Sequence, residues 1–231
     1  MAYTIVNSYI PGSLYKLKAP YPMKPEYITI HNTYNDATAA NEIAYMTRNN
    51  TVVGYHVAID DKQAVQAIPF TRNAYHAGDG QGKGNRASIG IEICYSKSGG
   101  TKYVAAEENT VEYVAHILKQ YGWGIDRVKW HRDWSGKNCP HRIIEEGRTQ
   151  SVKDRISAKL KELNNPAPPK EEVIRMFKPS SATLKAAYEQ FLTGAIKDGT
   201  IAAKWLTDLK ANKLSLDDAL ALKVIVDQRK K

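Results

Sequence analysis

Three prolines fall within four residues of the stretch LNNPAPPKEE, residues 163–172, and no helix or strand interior can run through them. Each proline lacks a backbone donor and fixes its own φ, so the segment favours an extended spacer. The chain therefore divides into a first region, 1–163, a Pro-rich linker, 164–172, and a last region, 173–231. The two flanking regions have different periodicities.

Before the linker, strand-like and helix-like stretches alternate. YITIHNT (27–33) is β-branched and aromatic and ends in polar turn residues, which predicts a strand. A short helix over 37–50 and a second strand over VVGYHVAID (52–60) follow. In SIGIEICYS (88–96), Ile89, Ile91 and Ile93 alternate with Gly90, Glu92 and Cys94, a period of two. Residues 106–122 place Val111, Val114, Ala115, Leu118 and Tyr121 on one helical stripe, stopped by Gly122. RVKWH (127–131) closes the series as a short strand. That order predicts an α/β fold, a mixed central sheet flanked by helices.

After the linker only helical patterns remain, and they predict a small all-α C-terminal module. Ser180 or Ser181 caps a first helix, and Thr200 caps a second carrying Ile201, Trp205 and Leu209. Ser215 and Asp218 stand in capping-box spacing before a third. The aromatic residues Phe177, Tyr188, Phe191 and Trp205 occur largely at helical spacing, so they read as the module's core.

Function is concentrated in KWHRDWSGKNCPH, residues 129–141. A histidine at a strand end and a cysteine eight residues later can return to one metal ion, since zinc accepts imidazole nitrogen and thiolate sulfur. A third donor must come from elsewhere. His31, at the end of its own strand, competes with the nearby His141. On spacing alone a plainer reading stands beside this one: Cys139 as a small buried apolar residue, the histidines as core or surface. The glycine-rich GDGQGKGNR (78–86) does not make a phosphate loop, because its Gly-Lys pair is followed by Gly84.

The segments ITIHNT, GYHVAID, AYHAGDG, NRASIGIEIC and HRDWSGKNCPH occur in this order over about residues 20–160. Together they resemble the zinc-dependent type 2 N-acetylmuramoyl-L-alanine amidases, which include phage endolysins and are related to peptidoglycan recognition proteins. The resemblance implies a Zn2+ site at His31, His131 and Cys139. It implies amide hydrolysis in bacterial peptidoglycan, with Glu92 moving the proton, Lys137 stabilising the oxyanion and Tyr55 in support. The plainer readings of the first two are a solvated strand glutamate and a surface lysine, and Tyr55 is given only a supporting role because other family members lack that tyrosine. His76, in a loop beside glycines, is a candidate for lining the substrate groove. A non-enzymatic wall-recognition protein with a structural zinc is the alternative.

The formal charge of +9 predicts attraction to a polyanion. In this context that means anionic wall polymers, since binding to nucleic acid would explain the charge but none of the His/Cys/Lys spacing. Neither a signal peptide nor an apolar run long enough for membrane insertion is legible. The expectation is therefore synthesis in a host cytoplasm and action at the bacterial cell wall after release. Oligomeric state is not encoded in any pattern of the chain.

Overall fold

The computed structural model describes residues 3–165 and 175–229. The chain forms two compact units, 1–167 and 168–231. Most of the expected linker, 164–172, lies outside the described residues.

Unit one runs β1 (Thr4–Asn7), α1 (Tyr15–Lys18), β2 (Tyr27–Asn32), α2 (Ala39–Arg48), β3 (Val57–Ile59), β4 (Gln63–Gln66), α3 (Lys83–Arg86), β5 (Ser88–Ile93), α4 (Gly100–Tyr121), β6 (Val128–Trp130), α5 (Arg132–Ser135), α6 (His141–Glu145) and α7 (Thr149–Asn164). The strands form one mixed sheet in the order β1-β4-β3-β5-β2-β6. Only β3 and β4 pair antiparallel, as neighbours joined by a tight turn. The α/β architecture expected from the alternating pattern is the one observed.

The pairing of β2 with β5 decides which side chains share a face. Ile28 lies opposite Ile89 and Ile30 opposite Ile91, while Thr29 lies opposite Gly90 and His31 opposite Glu92. Side chains alternate along a strand, so the isoleucines take one face and the polar set takes the other. The isoleucine face is fully buried with Val57, Ile59 and Val128, beneath Val111, Val114 and Leu118 of α4. Each such side chain contributes about 1.5–3 kcal/mol by leaving water. Helix α4 ends at Gly122, whose φ of 66° suits a left-handed cap.

Helix α7 packs on the outside of α4. Between them, buried Glu107 receives Arg148 at 2.7 Å and Arg155 at 2.6 Å. Removing the acid leaves two guanidinium groups against each other, each keeping some contact with water. Glu107→Ala is therefore expected to cost about 3 kcal/mol of unfolding free energy in chemical denaturation, while metal uptake is unchanged.

Two expectations need correction. The stretch 52–56 is not part of a strand, and β3 starts only at Val57. The carbonyls of Thr51 and Val53 accept hydrogen bonds from the buried Lys18 Nζ, at 2.7 and 3.1 Å, and Gly54 N donates to the Tyr75 carbonyl at 3.1 Å; bonding to β5 begins at His56, whose N–H donates to the Gly90 carbonyl at 3.0 Å. In unit two, Thr200 does not cap a helix. Its hydroxyl donates to Asp198 and its backbone N–H to the Ala195 carbonyl, which extends the end of the preceding helix.

Unit two contains α8 (Ala182–Lys197), α9 (Lys204–Lys210) and α10 (Leu216–Arg229). Ser181 caps α8 by accepting from Leu184 N, and Ser215 accepts from Asp218 N at the start of α10. Leu192, Leu209, Leu214, Ala219 and Leu222 form its core, with Phe177, Tyr188, Phe191 and Trp205 packed partly buried around them. Among the described residues no helix is long and apolar enough to cross a membrane.

Candidate active site

The polar face of the sheet opens at the C-terminal ends of β2, β5 and β6, the usual place for a site in parallel strands. His31 is near the end of β2, Glu92 beside it on β5, and His131 directly follows β6. The chain then turns through α5 and Gly136, and Arg132 N donates to the Cys139 carbonyl at 3.0 Å. That bond returns Cys139 to His131. Trp134 ties the turn to β2 through Nε1, which donates to Thr29 Oγ1 at 2.8 Å. The Cys139–Pro140 peptide is cis.

His31, His131 and Cys139 are all buried, and their ligand atoms lie within 4.8 Å of one another. His31 Nδ1 is 3.0 Å from His131 Nδ1 and 3.8 Å from Cys139 Sγ. Donors around one tetrahedral zinc stand about 3.3–3.7 Å apart, so these three side chains fit a shared ion with little movement. Burial lowers the pKa of His31 well below its usual value and that of His131 to about 4, the nearby Lys137 charge adding to both. Both rings are therefore neutral donors. Burial, with Glu92 next, pushes the Cys139 thiol up to about 12, and a cation is what favours its thiolate. Nε2 of His131 is a buried atom without a well-formed hydrogen bond. The donor set of two imidazoles and one thiol suits zinc chemistry. His141, the alternative third donor, instead sets its ring 4.3 Å from that of Tyr34.

Glu92 shares the sheet face with His31, and its Oε2 is buried without a hydrogen bond. Its pKa is raised to about 8, first by burial and then by the charge of Glu42, while Lys137 acts in the opposite direction. Lys137 is exposed and lies with His131 and Ser135 along a cleft of about 620 Å³. Tyr55 is buried, and its hydroxyl donates to Glu42 Oε2 at 3.2 Å. Tyr55, Glu42 and Glu92 line a second depression of about 330 Å³.

Glu42 escaped the sequence reading. The signal for it was present: Ala39, Glu42, Ile43 and Met46 form the buried stripe of α2, and a carboxylate inside an apolar stripe is costly without a task.

His76 is buried, and its position depends on Gly90. A Cβ on Gly90 would stand 2.7 Å from the His76 ring, so the ring occupies the place of the missing side chain. His76 borders the larger cleft, but both its ring nitrogens are engaged inward, one with the Ser88 carbonyl and one with His31.

Val53 belongs to the walls of both depressions, so the loop Asn49 to Val53 stands between them. Lys18 holds this loop, donating also to Asn49 Oδ1 at 2.9 Å. Lys18→Met removes all three bonds and takes their donor from the Thr51 and Val53 carbonyls, while Asn49 Oδ1 keeps its bonds from Thr51. It is expected to destabilise the protein by about 2–3 kcal/mol and to raise KM more than it lowers kcat. Denaturant titration and steady-state kinetics on the same preparation check both effects.

A sequence profile described as N-acetylmuramoyl-L-alanine amidase matches residues 21–142. The amidase CwlA of Bacillus subtilis (strain 168) is 59% identical over 164 residues, covering 71% of this chain and 60% of the relative. XlyB of the same organism is 55% identical over 69% of this chain and 51% of its own length. The chain thus spans about half to three fifths of the length of these curated relatives. The solved structure of PlyL superposes with a TM-score of 0.66 at 52% identity, covering 67% of this chain and 98% of that one. The PlyG catalytic domain gives a TM-score of 0.65 at 50% identity, covering 68% and 94%.

Proposed function

The chain belongs to the N-acetylmuramoyl-L-alanine amidase family, and from that premise we propose that it hydrolyses the amide between N-acetylmuramic acid and L-alanine in bacterial peptidoglycan. The observation that carries the reading is the convergence of His31, His131 and Cys139 beside Glu92 on one sheet face. Held by those three donors, a zinc ion would supply Lewis acidity, lowering the pKa of water and polarising the scissile carbonyl.

The chain's own residues divide the remaining work. Glu92 takes the proton of the attacking water and returns it to the leaving amine nitrogen, a task suited to a carboxylate whose pKa lies near 8. Lys137 places its ammonium where negative charge grows on the carbonyl oxygen. Tyr55 is bound to Glu42 and closes the wall behind Glu92. A wall-recognition role without catalysis loses support, because the third donor Cys139 and the half-buried Glu92 are both present and the close relatives carry amidase names.

Digestion of purified peptidoglycan tests this reading. The expected products are new alanine α-amino groups and free lactyl ends, without new reducing sugars. New reducing ends instead would indicate glycosidic cleavage, and no product at all would remove the enzymatic reading.

The helical unit is proposed to hold the enzyme to anionic wall polymers, which raises the local concentration of catalyst at a solid substrate. It presents a depression of about 530 Å³ that includes Phe177, Tyr188 and Phe191, with Lys178 and Lys223 beside them. Sedimentation of the protein with walls, before and after chemical removal of the phosphate polymers, measures that attachment.

A further inference from the structure

Nε2 of His76 faces the carbonyl oxygen of Ser88 at 3.2 Å. A carbonyl cannot donate, so this nitrogen carries the proton. Nδ1 of the same neutral ring is then an acceptor, and it lies 3.0 Å from Nε2 of His31. His31 must therefore carry its proton on Nε2. Its other nitrogen, Nδ1, is left with a lone pair, on the side where His131 Nδ1 and Cys139 Sγ lie at 3.0 and 3.8 Å. The doubly protonated alternative for either ring would be a charge buried with no carboxylate in the hydrogen-bonded chain to offset it.

We infer that His76 is a positioning residue: it fixes the tautomer and the ring orientation of His31, so that Nδ1 is presented unprotonated to a metal ion. The inference rests on the metal reading above and adds a residue outside the ligand set. Ligating histidines commonly lean on a carboxylate or a backbone carbonyl. Here a second imidazole bridges His31 to the β5 backbone at Ser88, giving direction without adding negative charge.

The surroundings hold this bridge in place. Asn85 Oδ1 accepts from the backbone N–H groups of His76 and Ala77, at 2.8 and 2.7 Å. Asp79 accepts from Gly84 N and Asn85 N, at 2.7 and 3.0 Å. The glycine-rich stretch after His76 is thus folded into a brace for that histidine. Gly90 vacates the space in which the ring lies, and the His31 and His76 rings meet edge to face, interplanar angle 87°.

Zinc affinity, measured by competition with a chromophoric chelator, separates this role from simple space-filling. His76→Leu fills the volume without an acceptor and is expected to weaken zinc binding about 10–100-fold. His76→Asn can place an amide oxygen near the position of Nδ1 and is expected to recover most of that loss. Zinc binding by His76→Leu at wild-type strength, or by His76→Asn as weakly as His76→Leu, overturns the inference.

A measurement on the unmutated full chain guards against variants that misfold. With 15N-labelled histidine, long-range proton–nitrogen spectra are expected to report the Nε2–H tautomer at both His31 and His76. An Nδ1–H tautomer at either ring overturns the inference whatever the variants do. A wild-type chain that takes up no zinc would instead sink the metal reading, and the tautomers remain readable in that case.

Discussion

Glu92→Gln is expected to bind zinc at the wild-type stoichiometry and to lose about 10²–10⁴-fold in kcat on peptidoglycan. The amide is nearly the same size and keeps a polar atom in the same depression, so packing is preserved. What it cannot do is accept a proton. Metal analysis and steady-state kinetics on the same sample decide the matter, and a variant retaining more than about a tenth of the wild-type rate removes Glu92 from the proton path. The pH profile adds a sign. Burial and Glu42 raise the Glu92 pKa to about 8, and Lys137 opposes them. A base must be ionised, so activity falls as pH drops through that pKa. A bound cation moves this acidic limb to lower pH, and Lys137→Met moves it to higher pH.

Cys139→Ala is expected to abolish both metal retention and activity. Outer partners of a metal ligand already matter about 10–100-fold in affinity, and loss of a ligand itself is expected to exceed that. The residue is small, so most packing survives and the folded variant can be examined. Wild-type protein with zinc at about 1,000 times its dissociation constant gains about 4 kcal/mol of stability by linkage. Thermal unfolding with and without zinc should therefore show a large rise in Tm for the wild type and little for the variant. Equal rises in both would mean that the ion is bound elsewhere.

Much of this arrangement is legible in the chain, for identifiable reasons. Strands β2 and β5 announce themselves because their isoleucines alternate with residues that have no business in a core. The loop from His131 to Cys139 stands out by its chemistry. Strands β1 and β4 were not legible: each is four residues long, and the exposed Thr4–Asn7 has no buried face to impose a pattern. The false strand over 52–56 looked real because Val52, Val53 and Tyr55 are good strand formers, but tertiary bonds from a distant lysine overrode local preference. The bridge from Ser88 through His76 to His31 was beyond sequence reasoning, since it joins three segments whose proximity only the fold creates.

The pairing of His31 with Glu92 has a consequence for errors in folding. If β5 slid by a single position along β2, its isoleucines would turn outward and its carboxylate would be driven into oil. A misaligned chain would forfeit stability together with catalysis. A stable chain with His31 and Glu92 out of alignment is thus hard to make from this sequence, and the alignment of the site is policed by the hydrophobic interior.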